Sequence, residues 1–313
     1  DADEMEEGAY AGVIAGTGAP AVLRERLFRD EALYCFEAMQ HAAFFQNKNL
    51  KYLYSGELGG FNTFSAMLVA IVKDLPIVDA DGCGRACPGL DTTLANVHGV
   101  PSSPLVVASA KGDSIVAYPH DPFDGVQCEA IARSFCLSSG VIAAFGTWLA
   151  NKQDLKNKLA DGALTFAQTV GKKILEAKQS KGSAAAYIST VLPCRELCSG
   201  VITGKTLETK QGWDWGCNEI TLQDGSKYYL DFKNENIVAR DDRGNVHLTA
   251  PDHISVLDAD TYTPLTNSDT KEGMRVQVLG MPVHKNWWAS PRGVEVWRPY
   301  FACVGYDGDA VKF

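Results

Sequence analysis

Short apolar runs alternate with amphipathic segments in the first half of the chain, and threonine-, valine- and tyrosine-rich hairpin signals fill the second. Together they predict an N-terminal α/β layered domain with a mostly parallel sheet, followed by a β-rich C-terminal domain. The 313 residues, 46% of them hydrophobic, are enough for two cores at roughly 100–200 residues per domain. The expected division is 1–185 and 186–313.

Tyr10 to Ala15 reads as a strand that ends in Gly16 and Gly18. Leu33, Phe36, Gln40, Ala43 and Phe44 recur at helical spacing and predict a helix over 30–45. Lys51 to Tyr54 is a strand, Gly56-Glu57-Leu58-Gly59-Gly60 a turn, and Asn62 to Lys73 a helix. Pro76–Val78, Leu105–Ala108, Ile115–Tyr118 and Val141–Thr147 read as strands, with a helix over 125–138. Residues 151–198 read as helical throughout, with Phe166, Val170, Ile174 and Leu175 on the helical period and Gly182 as punctuation. From Gly200 onward, Asp-Gly and Arg-Gly pairs at 224–225, 243–244 and 292–293 mark hairpin turns.

Net charge is −9 and no lysine or arginine stripe is present, which argues against nucleic acid as a partner. The longest apolar run, Ala66 to Val72, falls far short of the roughly 20 residues of a membrane helix. Nine cysteines, an odd number in a long chain, suggest reduced thiols and a cytoplasmic setting rather than a disulfide scaffold. Asp1 is not preceded by Met and no signal segment follows, so the chain reads as processed or as a piece of a longer polypeptide.

The chemistry-bearing stretch is 78–90, Val-Asp-Ala-Asp-Gly-Cys-Gly-Arg-Ala-Cys-Pro-Gly-Leu. A turn needs glycine and at most one aspartate, whereas here Asp79, Asp81, Gly82, Gly84 and Arg85 crowd a strand end. In open α/β sheets ligands bind beyond the carboxyl ends of strands. The Gly56–Gly60 turn also follows a strand, so Glu57 is expected to meet Asp79 and Asp81 at one sheet edge. Asn62 can cap the following helix, and Gly59 and Gly60 let backbone amides approach a ligand. His98, with Asp79 and Asp81, could supply a divalent metal set, zinc included. Nothing in the sequence requires a cofactor. Cys83/Cys87 and Cys194/Cys198 have spacing that zinc permits, but no second pair lies nearby. Gly16-Thr17-Gly18-Ala19-Pro20 lacks the third glycine of a dinucleotide fingerprint and the lysine of a P-loop. Asn234, Glu235 and Asn236 are poor strand formers placed directly after a strand. They read either as a turn or as a polar patch that closes over the first domain's site.

Three segments carry a resemblance: Ser55 to Asn62, Leu75 to Pro88, and Phe232-Lys233-Asn234-Glu235-Asn236. They resemble the S-methyl thiohydantoin desulfurase family, long catalogued beside hydantoinases and oxoprolinases. Ala250-Pro251-Asp252-His253-Ile254 and Lys271 to Leu279 are similar to its second domain. Where members tend to carry Met and Phe, this chain has Cys83 and Cys87, and Gly89 stands where they tend to have glutamate. The resemblance implies an α/β domain followed by a β-rich one. It also implies a hydrolase-type activity on a five-membered cyclic amide or thiohydantoin, replacing an S-methyl group by oxygen with release of methanethiol. In the alternative that the family suggests, the chain is an accessory domain or partner of a hydantoinase/oxoprolinase assembly, and a homo-oligomer is a further expectation. On this reading Asp79, Asp81 and Glu57 do the acid–base work. Arg85, Asn62, Gly59, Gly60, Asn234, Glu235 and Asn236 bind substrate.

Overall fold

The computed structural model describes residues 1–18, 27–140, 142–210 and 213–313. Ala19 and Pro20 of the glycine-rich turn, and Val141 of an expected strand, lie outside them. The chain divides into two compact units, Asp1–Thr165 and Phe166–Phe313, against the expected division at 185.

The first unit contains β1 (Ala9–Gly18), α1 (Asp30–Phe45), β2 (Asn49–Ser55), α2 (Asn62–Lys73), β3 (Ile77–Asp81) and α3 (Leu94–Val97). It continues with β4 (Leu105–Ala108), β5 (Ser114–Ala117), α4 (Gly125–Ser138), β6 (Ile142–Asn151), α5 (Lys152–Asn157) and β7 (Ala160–Asp161). Its mixed sheet has the order β5-β4-β6-β1-β2-β3-β7. The parallel part is β1-β2-β3, where α1 and α2 supply the long crossovers that parallel neighbours require. The pairs β1/β6, β4/β6, β4/β5 and β3/β7 are antiparallel. Ile14, Leu53 and Val106 of the strands pack with Phe36, Met39 and Val69 of the helices in one buried core. β1 is buried continuously from Ala11 to Ala15, as expected of a central strand covered on both faces.

The second unit carries most of α6 (Ala163–Ser180), then α7 (Ala184–Ile188), β8 (Arg195–Lys210), β9 (Trp213–Leu222), β10 (Lys227–Lys233) and β11 (Glu235–Asp241). There follow β12 (Val246–Thr249), β13 (His253–Asp258), β14 (Pro264–Leu265), β15 (Arg275–Met281), α8 (Arg292–Glu295) and α9 (Arg298–Cys303). Its strands form one antiparallel sheet, β12-β11-β10-β9-β8-β15-β13-β14.

Residues 151–198 are therefore not helical throughout. Asn151 starts α5 through a capping box with Asp154, Gly162 turns at φ +72° after β7, and β8 begins at Arg195. Gly225 and Gly244 do close hairpins, at φ +86° and +83°. Gly293 instead lies within α8, where an added Cβ would stand 1.9 Å from the Trp287 carbonyl oxygen. Its role is close packing rather than a hairpin turn.

Candidate active site

The site forms where β2 and β3 end side by side. Ser55 and Asp81 are register partners in the parallel pair, and the Gly82 N–H donates to Ser55 O at 2.9 Å. The two glycine-rich turns leave the sheet together. A Cβ on Gly82 would stand 2.6 Å from the Gly56 carbonyl oxygen, and one on Gly56 would stand 2.6 Å from Val13 Cγ1. The Cys83 thiol donates to Gly56 O at 3.2 Å, tying one turn to the other.

Asp81 is fully buried. Its Oδ1 accepts the Cys83 and Gly84 N–H groups at 2.8 and 2.6 Å. Among the described residues its Oδ2 has no hydrogen-bond partner of good geometry. The Ser55 hydroxyl favours the charged form, yet is engaged with Thr63 Oγ1 and Glu57 O. Burial pushes the Asp81 carboxyl up to about 7, opposed by Ser55 and the two amides and reinforced by Glu57.

Glu57 is held at both oxygens: Oε1 accepts from Asn62 Nδ2 at 2.5 Å and Oε2 from the Cys87 N–H at 2.8 Å. Burial raises its carboxyl, Cys87, Asn62 and Arg85 pull it down, and Glu129 pushes it up. Asn62 does not cap α2. Its Oδ1 accepts the Gly16 N–H at 2.8 Å, so this side chain links the end of β1 to Glu57. Arg85 is buried, and its Nε donates to Ala86 O at 2.9 Å. Gly59 and Gly60 are exposed with open space where a Cβ would be, and the Gly59 N–H donates to Thr63 Oγ1.

The structure thus brings Glu57, Asn62, Asp81 and Arg85 together but moves Asp79 out of the group. The Asp79 Oδ1 accepts the Leu164 and Thr165 N–H groups at 2.8 and 3.2 Å, and Oδ2 accepts the Thr165 hydroxyl at 2.5 Å. Because β7 pairs with β3, the chain leaving Gly162 starts α6 directly beside Asp79. Asp79, expected to do acid–base work, has both carboxylate oxygens engaged by the first residues of α6. Asp79→Ala should lower stability by ~1 kcal/mol, read in thermal or denaturant unfolding, with turnover by the folded protein unchanged.

The His98–Asp79–Asp81 metal set is not assembled either. His98 closes α3 through its N–H to Leu94 O, and Asp79 is committed to α6. Among the described residues, no three His, Cys, Asp or Glu side chains are grouped to hold a metal ion.

In the second unit, Asn234 sits at φ +55° between the paired Lys233 and Glu235 and makes the β10–β11 turn. Its Oδ1 accepts the Asp214 N–H at 2.8 Å. Asn236 Nδ2 donates to Ile254 O, and Asn267 Nδ2 bridges Asn234 O and Asn236 Oδ1. Asn218 and Thr270 extend this network. Asn234 and Asn236, expected to bind substrate, are thus engaged in hydrogen bonds within the second unit. Glu235 is half-buried at the start of β11.

Sequence reasoning missed Glu129. This partly buried carboxylate on α4 pairs with Arg133 at 2.7 Å, accepts the Leu90 N–H at 3.3 Å and raises Glu57. The i,i+4 spacing of Glu129 and Arg133 was the available signal.

The ionisation of Asp81 has a consequence for stability. The unfolded carboxyl titrates near 3.8 and the folded one near 7. Between these values the folded chain keeps a proton that the unfolded chain has released, so stability falls as pH rises through that window. Wild-type unfolding free energy should therefore drop by an amount on the order of a few kcal/mol from pH ~4 to ~7 relative to Asp81→Asn. Denaturant unfolding across that range measures it, and parallel pH dependences in the two proteins would contradict a raised Asp81.

A mixed α/β unit with a buried and a half-buried carboxylate beyond two parallel strands, followed by an antiparallel β unit, defines the general class. Residues 1–118 match the description "S-Me-THD-like, N-terminal domain" and residues 124–312 match "S-Me-THD-like, C-terminal domain". The chain belongs to this S-methyl thiohydantoin desulfurase-like family. The chain is also similar to the crystal structure of a protein from Chromobacterium violaceum, a Northeast Structural Genomics Consortium target, at 22% identity with a TM-score of 0.81. That similarity covers 100% of this chain and 86% of the other, and it establishes the fold alone. No curated protein matches the chain. Among the described residues no helix is long and apolar enough to cross a membrane.

Proposed function

We propose that the chain is a hydrolase for S-methyl thiohydantoin-type rings, replacing the S-methyl group by oxygen and releasing methanethiol. The observation that carries this reading is the Asp81 carboxylate, buried and pushed up to about 7, with one oxygen anchored by two amides and the other without a hydrogen-bond partner of good geometry among the described residues. A base poised near neutral pH suits proton removal from water.

In this reading Asp81 Oδ2 takes a proton from water as the water oxygen attacks the amidine-like ring carbon. The carbon–sulfur bond then breaks as Asp81 Oδ2 passes this proton on to the departing sulfur, and Glu57 relays the second water proton from the new hydroxyl oxygen to the ring nitrogen. The oxygen stays on the ring as a carbonyl, the ring nitrogen gains a hydrogen, methanethiol leaves and both carboxyls return to their starting states, so atoms and charge balance. Arg85 offers a guanidinium for a carboxylate or carbonyl oxygen of the substrate. Asn62 keeps Glu57 aimed, because it is fixed at its other end by Gly16.

Incubating purified protein with a 5-substituted S-methyl thiohydantoin, and trapping the released thiol with a chromogenic disulfide, tests the proposal. Enzyme-dependent methanethiol matched by hydantoin formation is the expected result. Absence of both with a folded protein would favour an accessory role in a hydantoinase/oxoprolinase assembly.

A further inference from the structure

The two anchored carboxylates are held by two cysteines. The Cys83 N–H donates to Asp81 Oδ1 and the Cys87 N–H donates to Glu57 Oε2, both at 2.8 Å. The two thiols lie within hydrogen-bonding reach of each other across the five-residue loop Cys83-Gly84-Arg85-Ala86-Cys87. Gly84 turns that loop at φ +70°. Cys83 is buried and Cys87 is partly exposed.

We propose that Cys83 and Cys87 form a reversible disulfide under hydroperoxides and that its closure switches the site off. Cys87, the partly exposed thiol, is the one a hydroperoxide reaches. Its sulfur attacks the peroxide, the O–O bond breaks, and one oxygen stays as a sulfenic acid while water (or an alcohol) leaves. The Cys83 sulfur then attacks Cys87 sulfur. The S–S bond forms, the S–O bond breaks, and a second water departs with the thiol proton. The two sulfurs are oxidised by two electrons in all and the peroxide is reduced by two. A dithiol reverses the step by exchange.

Closure must pull the sulfurs from hydrogen-bonding contact to about 2 Å. It also removes the thiol hydrogen that Cys83 donates to Gly56 O. Because the amides of these same residues hold Asp81 and Glu57, both carboxylates are displaced together. The disulfide is a property of the chain itself, whereas its effect on turnover rests on the hydrolase reading.

Trypsin reads the bond directly. Cleavage after Lys73, Arg85 and Lys111 places Cys83 in 74–85 and Cys87 in 86–111, each with a single cysteine. After hydrogen peroxide and alkylation of the full chain, the two fragments should appear joined, two hydrogens lighter than their sum, and dithiothreitol should part them. Methanethiol release should fall on the order of 100-fold in the oxidised protein, the scale of a small misplacement in an active site, and return with dithiothreitol. Cys87→Ser should show neither the joined peptide nor the fall.

Separate fragments with both cysteines alkylated, Cys87 overoxidised without linkage, or either cysteine joined to another peptide would overturn the proposal. A joined peptide with unchanged turnover would overturn the switch. A protein that releases no methanethiol before oxidation would fail the hydrolase reading, while the peptide result would still decide the disulfide.

Discussion

Asp81→Asn should lower methanethiol release by 10²–10⁴-fold, roughly the contribution of a positioned general base, and leave the fold intact. Asparagine keeps an oxygen for the Cys83 and Gly84 N–H groups, so the turn after β3 retains its anchor. It cannot accept a proton from water. Far-ultraviolet circular dichroism and a melting curve beside the turnover assay separate the two effects. A variant that turns over normally but melts earlier would reduce Asp81 to a turn residue.

Gly82→Ala should be the most damaging small substitution at the site. The new methyl group would stand 2.6 Å from the Gly56 carbonyl oxygen and 3.3 Å from the buried Trp148 ring. Neither neighbour is a flexible chain end. Gly56 is itself held against Val13, and the Trp148 Nε1 donates to Ser102 Oγ at 2.9 Å. Relief requires the two turns to separate, which pulls Glu57 from Asp81. A loss of ~3 kcal/mol, at the upper end of overpacking costs, is expected in denaturant unfolding, with turnover lost even where the variant remains folded. Gly59→Ala, which meets nothing within 4 Å, is the control and should be tolerated.

The periodic elements of the first unit were legible because their signals are local. The apolar rows of α1 and α2 and the buried runs of β1 and β2 depend only on spacing. The meeting of Glu57 with Asp81 was legible for a related reason. Two glycine-rich turns that each follow a strand emerge at the same edge when those strands are parallel neighbours.

The role of Asp79 was not legible. It is set by β7 and the start of α6, about eighty residues further on, and no local pattern reports a helix arriving at a distant carboxylate. The same holds for Asn234 and Asn236, whose partners Asp214, Ile254 and Asn267 come from other strands and loops. In 151–198 the apolar spacing of α6 masks the boundaries of its neighbours, because the Asn151 capping box and the Gly162 turn are weaker signals than a helical period. Gly293 shows that an Arg-Gly pair can mark close packing inside a short helix as readily as a hairpin.

The central claim is that a buried Asp81, titrating near neutrality, activates the water that displaces methanethiol. The pH dependence of kcat/KM for methanethiol release tests it most directly. A limb centred near pH 7, with activity rising as Asp81 loses its proton, is the predicted result. A profile whose only acidic limb lies near pH ~4, the ordinary carboxylate range, would contradict it.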